Sequence, residues 1–253
     1  MSNPPESGSS PAQPAAHVVT GMPVKLGIRQ YISVMHLWNA RHMAWRCRIR
    51  EDALVSAGVG GVDIQHSSFA AASIVASTSF LEALINEVWQ DAHEYGMVPD
   101  RLRGLDRAVV LKLRELWTME RVEQLGILDK YQVALVVADK PKLETSHEPY
   151  QSVARIIEIR NALVHSKPET QFIDETHKLA KKLAGKFEPN PLGGYPWYPH
   201  QVLAAGCTEW AWKTCLEFAE LWWKRMGFHR DLLSDFNHWP DPASDTPPVG
   251  SPG

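Results

Sequence analysis

The sequence predicts an all-α protein, a bundle of about six or seven helices, on three observations. Period-2 alternation is scarce, apolar segments with a 3.6-residue period recur between prolines and glycines, and the second of these segments is apolar on most of its sides. A helix of that last kind belongs at the centre of a bundle, covered by the others.

The first helix is expected from about Leu26 to Leu54, with Ile28, Tyr31, Ile32, Met35, Trp38 and Trp45 on its apolar face. Within it, Arg41, Arg46, Arg48 and Arg50 read as a solvated face whose long stems lie along apolar surface. Gly58, Gly60 and Gly61 follow as a turn, since they lack the Lys-Ser/Thr pair and the preceding strand of a phosphate-binding loop. The second helix, from about Ile64 to Tyr95, carries Phe69, Ile74, Val75, Phe80, Leu81, Leu84, Ile85 and Val88. Along it Thr78, Glu82 and Asn86 recur every four residues and form a polar stripe. Buried polar groups need partners. Arg160 is the natural partner for Glu82, with Asn86 as a further hydrogen-bonding group; the alternative is a stripe facing solvent at the edge of the bundle.

A third helix is expected from about Leu102 to Leu125, and a shorter one from about Leu128 to Ala138. Then come a helix from about Tyr150 to Val164, a polar segment from about Asp174 to Ala184, and a last long helix from about Pro199 to Met226. The last helix holds Trp210, Trp212, Phe218, Leu221, Trp222 and Trp223 with Cys207 and Cys215, a density read as core or interface packing.

With 253 residues, 44% of them hydrophobic and 22% charged, the chain can bury one substantial core. Ten of the 18 prolines fall in Met1 to Val24 and His238 to Gly253, so residues 1–24 and 238–253 are expected to be disordered tails around a single helical domain at 25–237. No window approaches roughly 18 consecutive apolar residues, and the first residues lack a signal peptide's basic and apolar regions. A cytoplasmic protein without membrane contact is the expectation. The net charge of −3 gives no argument for a globally basic, nucleic-acid-binding surface. Cys47, Cys207 and Cys215 form no CxxC and no zinc-like spacing with the 11 histidines, so neither a disulfide framework nor a structural metal is indicated. His36, His42 and His66 likewise lack a recognised ligand pattern.

Chemistry concentrates in Ile159-Arg160-Asn161-Ala162-Leu163-Val164-His165. A cation, an amide and an imidazole fall within two helical turns, just before Ser166-Lys167-Pro168, where the residue preceding proline is steered out of the α region. On an ideal helix Asn161 and His165 lie about 40° apart, whereas Arg160 and His165 lie about 140° apart. Two arrangements could bring the groups together: a helix that loosens near His165, or a symmetric dimer with two such helices side by side.

With Arg160, Asn161 and His165 in an Arg-x4-His spacing, and with Ser79-Phe80-Leu81-Glu82-Ala83-Leu84-Ile85-Asn86-Glu87 on the earlier helix, the chain resembles the HEPN superfamily over about residues 64–228. These are all-α proteins, many of them metal-independent endoribonucleases. The resemblance implies a two-fold dimer with a composite cleft, no cofactor, and cleavage of RNA by its own 2′-hydroxyl to leave a 2′,3′-cyclic phosphate or its hydrolysis product. His165 would move the proton. Arg160 would hold the phosphate, Asn161 would orient His165 or a phosphate oxygen, and Lys167 would add a phosphate contact. Stress response, phage defence or a toxin with an antitoxin partner are the settings implied. The family also contains non-catalytic members, so a helical module that binds RNA, a nucleotide or a protein partner is the alternative. In that case Arg160 pairs structurally with Glu82, and His165 favours the helix C-terminus through its dipole.

Overall fold

The computed structural model describes residues 29–94, 100–119, 122–167, 170–172, 176–194, 197–235 and 241. The chain divides into a first unit, Met1–Gln30, of which only Arg29 and Gln30 are described, and a second, Tyr31–Gly253, which contains every described helix. The expected tails, 1–24 and 238–253, lie outside the described residues apart from Asp241.

The second unit is an all-α bundle, with no strand among the described residues. Its helices are α1 (Ser33–Ser56), α2 (Ile64–His93), α3 (Arg107–Met119), α4 (Ile127–Val137), α5 (Tyr150–Val164), α6 (Lys178–Leu183), α7 (Trp197–His200) and α8 (Ala205–Met226). As the sequence suggests, α2 is central, packing against α1, α3, α4, α5 and α8. It is long and apolar enough to cross a membrane, and here it buries Ile74, Phe80, Leu81, Leu84, Ile85, Val88 and Trp89 against those helices.

α1 and α2 form a hairpin around Gly58 and Gly61, both at positive φ, where a side chain would be strained. Asp63 then caps α2: its carboxylate accepts the His66 backbone N–H at 2.7 Å and pairs with Arg50. The face that α1 turns to the core differs from the expected one. The buried seam is Leu37, Ala40, Ala44, Cys47, Glu51 and Leu54, whereas Ile32 and Met35 are exposed and Trp38 and Trp45 only half-buried. Small residues win because they let α2 approach closely: the Ser73 hydroxyl donates to the Ala40 carbonyl at 2.8 Å. The helix also starts later than expected, since residues 29–32 are not helical.

The third expected helix is broken. A 3-10 turn, Asp100–Leu102, precedes α3 and another, Val122–Gln124, follows it. Gly104, at φ +106°, sits so close to Gly227 O and His229 N that a Cβ there would overlap them, which ties the break to the end of α8. The last helix starts at Ala205 rather than near Pro199, because Tyr198 and Ala204 adopt extended backbone. Phe218, Trp222 and Trp223 fill the core as expected. The Trp222 indole donates to the Tyr131 carbonyl and the Tyr131 hydroxyl donates to the Leu81 carbonyl, locking α8, α4 and α2 together. Cys47, Cys207 and Cys215 are buried and unpaired by disulfide.

Candidate functional site

The motif helix α5 has the bounds its flanking prolines suggest. Pro149 precedes it, the Glu148 carboxylate accepts the Ser152 N–H at 3.1 Å, and His165 is the first residue past its end. Ile156 and Ile159 are buried in the core, and Arg160, one turn beyond Ile156 on the same side of α5, reaches α2 through Glu82.

A polar seam results between α2, α4 and α5. Arg160 donates from Nη2 to Glu82 Oε2 at 2.9 Å, from Nε to Thr78 Oγ1 at 3.4 Å and from Nη1 to Asn161 Oδ1 at 3.1 Å. The seam opens outward: Thr78 is fully buried, the Arg160 side chain is 20% exposed and that of Glu82 is 45% exposed. Asn86 does not join Arg160; it accepts from the Lys130 ammonium at 2.7 Å. Lys130 is buried, and that burial holds its ammonium below its usual range, against the opposing pull of Glu82 and Glu123. Sequence reasoning missed Lys130, because a lysine in a short helix ordinarily points to solvent.

The structure gathers only part of the predicted set. Arg160, Asn161, Glu82 and Thr78 share contacts, whereas Asn86 bonds to Lys130 instead. Asn161, His165 and Lys167 are exposed. His165 donates its backbone N–H to the Asn161 carbonyl at 2.9 Å, but among the described residues its ring makes no hydrogen bond or ion pair. A cavity of about 280 Å³ lies near the other end of α5, lined in part by His147, Tyr150, Phe218 and Arg225. Another of about 320 Å³, lined by Arg41, Trp45, Arg48, Trp212 and Lys213, lies between α1 and α8. Neither takes in Arg160, Asn161 or His165.

The arginines of α1 are each engaged rather than merely solvated. Arg48 reaches Glu51 and Glu209, Arg50 reaches Asp63, Arg46 lies over the Phe69 ring, and Arg41 lies over the Trp212 ring. A second cluster that the sequence did not reveal joins the ends of three helices. Cys47, Glu51 and His66 are buried, and one metal-ligating atom from each lies within 4.8 Å of the others. His66 Nε2 and Glu51 Oε2 are 2.8 Å apart, and Glu51 Oε2 also accepts the Ala205 N–H at 2.8 Å, which caps the start of α8. Burial pushes the Glu51 carboxyl up, but the hydrogen bonds from His66 and Ala205 and the charge of Arg48 outweigh it and leave it below the usual range.

Fold and seam together define an all-α bundle with an arginine anchored beside an exposed amide, near an exposed imidazole at one helix end. No family model matches the chain, and no curated protein or solved structure matches it either.

Proposed function

We propose that this chain is a HEPN-like endoribonuclease that cleaves RNA by 2′-hydroxyl transesterification without metal participation in the reaction. The observation that carries the reading is Arg160, held from behind by Glu82 and Thr78, with Asn161 in contact with it and His165 exposed one turn further on. A fixed guanidinium is suited to stabilising charge that develops on a phosphate, because it needs no reorganisation during the reaction. In this reading His165 removes the 2′-hydroxyl proton, the 2′-oxygen attacks phosphorus, and the P–O5′ bond breaks. The leaving oxygen takes a proton from an imidazolium, leaving a 2′,3′-cyclic phosphate and a 5′-hydroxyl. Two copies around a two-fold axis supply the second imidazole and offset the angle between Arg160 and His165 on one helix. The reading takes RNA as substrate, a homodimer in the cytoplasm without membrane contact, and a setting in stress response, phage defence or a toxin–antitoxin pair.

The test is cleavage of mixed single-stranded RNA in EDTA by the wild-type protein and by His165→Ala, with the 3′ ends identified. Products ending in cyclic phosphate that depend on His165 support the proposal; a folded dimer that leaves RNA intact removes it. A second reading, a non-catalytic module for RNA, nucleotide or protein, is favoured by one observation. Each nitrogen of the Arg160 guanidinium already has a partner within the chain.

A further inference from the structure

The Cys47–Glu51–His66 cluster is unused by the proposed chemistry. It lies one helix segment away from the Arg160 seam, since His66 and Thr78 are separated by about 18 Å along α2. Cys47 and Glu51 are one turn apart on α1, so their side chains project from the same face, and His66 projects toward them from the first turn of α2. All three are closed off from solvent, at 0%, 2% and 0% exposure.

The imidazole is only half satisfied. Nε2 faces Glu51, while Nδ1 is buried without a hydrogen-bond partner, a rare state for a polar atom inside a protein. The Cys47 thiol has only a long contact, 3.8 Å, to the His66 carbonyl. Burial, reinforced by the charge of Glu51, pushes this thiol well above its ordinary range, so without a cation it stays protonated. Glu51 also accepts the Ala205 N–H, so the cluster adjoins the first turn of α8.

We propose that Cys47, Glu51 and His66 hold a buried Zn2+ that, through Glu51, fastens the α1–α2 hairpin to the start of α8. Ligand bonds of about 2.0–2.3 Å set tetrahedral donor separations of roughly 3.3–3.8 Å, so the three clustered donors need only small adjustments. A set of sulfur, nitrogen and one carboxylate oxygen selects zinc over magnesium or calcium. Binding releases the Cys47 thiol proton to solvent, and the one thiolate and one carboxylate neutralise the ion inside the core. The ion takes no part in RNA cleavage, and the inference stands whether or not that activity exists.

The experiment is metal analysis of the full chain purified without chelator, followed by refolding from guanidinium with Co2+ as the probe. The expected result is one zinc per chain. Cobalt should give the intense visible absorption of a tetrahedral site with a near-ultraviolet thiolate band, and both should be displaced by Zn2+. Cys47→Ser should abolish both the thiolate band and high-affinity uptake. Folded wild-type protein that carries no zinc and takes up no cobalt overturns the proposal, leaving Glu51 and His66 as a hydrogen-bonded pair. Uptake unchanged in Cys47→Ser overturns it equally, and the wild-type titration decides the matter if the variant fails to fold.

Discussion

The Arg160 seam and the Cys47–Glu51–His66 cluster both pair groups on the central helix α2 with groups on a neighbouring helix, yet they differ sharply in their access to solvent. In the seam, Glu82 is 45% exposed and Arg160 stands at the rim, with Asn161 and His165 in solvent. An external phosphate can reach those groups, and water screens the charges among them, so little folding energy depends on the pair. In the cluster nothing is exposed, and two bonds of Glu51 cross to other elements, His66 on α2 and Ala205 on α8, while a third reaches Arg48 on its own helix. Groups closed in this way can act only on the fold.

On the proposed ribonuclease reading, the largest effect that separates the two regions is on chemistry. His165→Ala should lower RNA cleavage by about 100- to 10,000-fold, the range for loss of a general acid–base group, while changing unfolding free energy by less than about 0.5 kcal/mol. Single-turnover cleavage and urea denaturation measure the two. A variant that keeps the cleavage rate removes the catalytic role of the open region.

The converse holds for the closed region. Glu51→Ala leaves His66 and the Ala205 N–H without their acceptor, and breaking a buried pair of this kind costs about 3–5 kcal/mol. Glu82→Ala should cost only about 0–1 kcal/mol, because that pair is partly solvated. If denaturation gives equal losses for the two glutamates, the contrast between the regions fails.

Within the open region a finer comparison sorts the two functional readings. Arg160→Gln and Glu82→Gln should each lower stability by about 1 kcal/mol or less. If only Arg160→Gln abolishes cleavage, the guanidinium acts on substrate. Parallel losses of melting temperature with no cleavage to lose would make the pair structural, as the binding-module reading requires.

The two regions also differed in how far the sequence revealed them. The Glu82–Arg160 pair was one of two readings of a polar stripe on an otherwise apolar helix, the other being a solvent-facing edge, and the end of α5 was legible because Ser166-Lys167-Pro168 follows it. The inward face of α1 was not. That helix carries bulky apolar residues at Met35, Trp38, Trp45 and Ile49 on one side and small ones at Ala40, Ala44 and Cys47 on the other. Hydrophobicity favours the first side, while close helix packing favours the second. The break at Gly104 depends on contact with residues more than a hundred positions away, and the Cys47–His66 approach depends on the hairpin closing. Both are tertiary facts with no local pattern. Lys130 was hidden for the same reason, since only the packing of α4 on α2 distinguishes it from a solvated lysine.

The smallest expected effect concerns acid, at the junction of α5 and α6. Burial raises the Glu158 carboxyl, but hydrogen bonds from Lys182 and Arg155 outweigh it and hold it below its usual range; Glu148 behaves likewise with Lys186 and Ser152. A carboxylate lowered in the folded state stabilises it fully above the unfolded value, near 4.5, and loses that contribution as pH falls through the lower folded value. These pairs should therefore be indifferent between pH 7 and pH 5 and weaken only below about pH 4.5, with about 0–1 kcal/mol at stake in each because both carboxylates are partly solvated. Glu220 has the opposite sign: burial, then Asp231 and Glu217, raise its carboxyl, so Glu220→Gln should be neutral or slightly stabilising at pH 7. Melting curves of Glu158→Gln and Glu220→Gln at pH 7, 5 and about 3.5 separate the two signs. A Glu158→Gln variant that loses as much stability on acidification as wild type would show that the Glu158 pairs carry none of the acid response, and would shift it to the other lowered carboxylates, Glu148 and Glu51 among them.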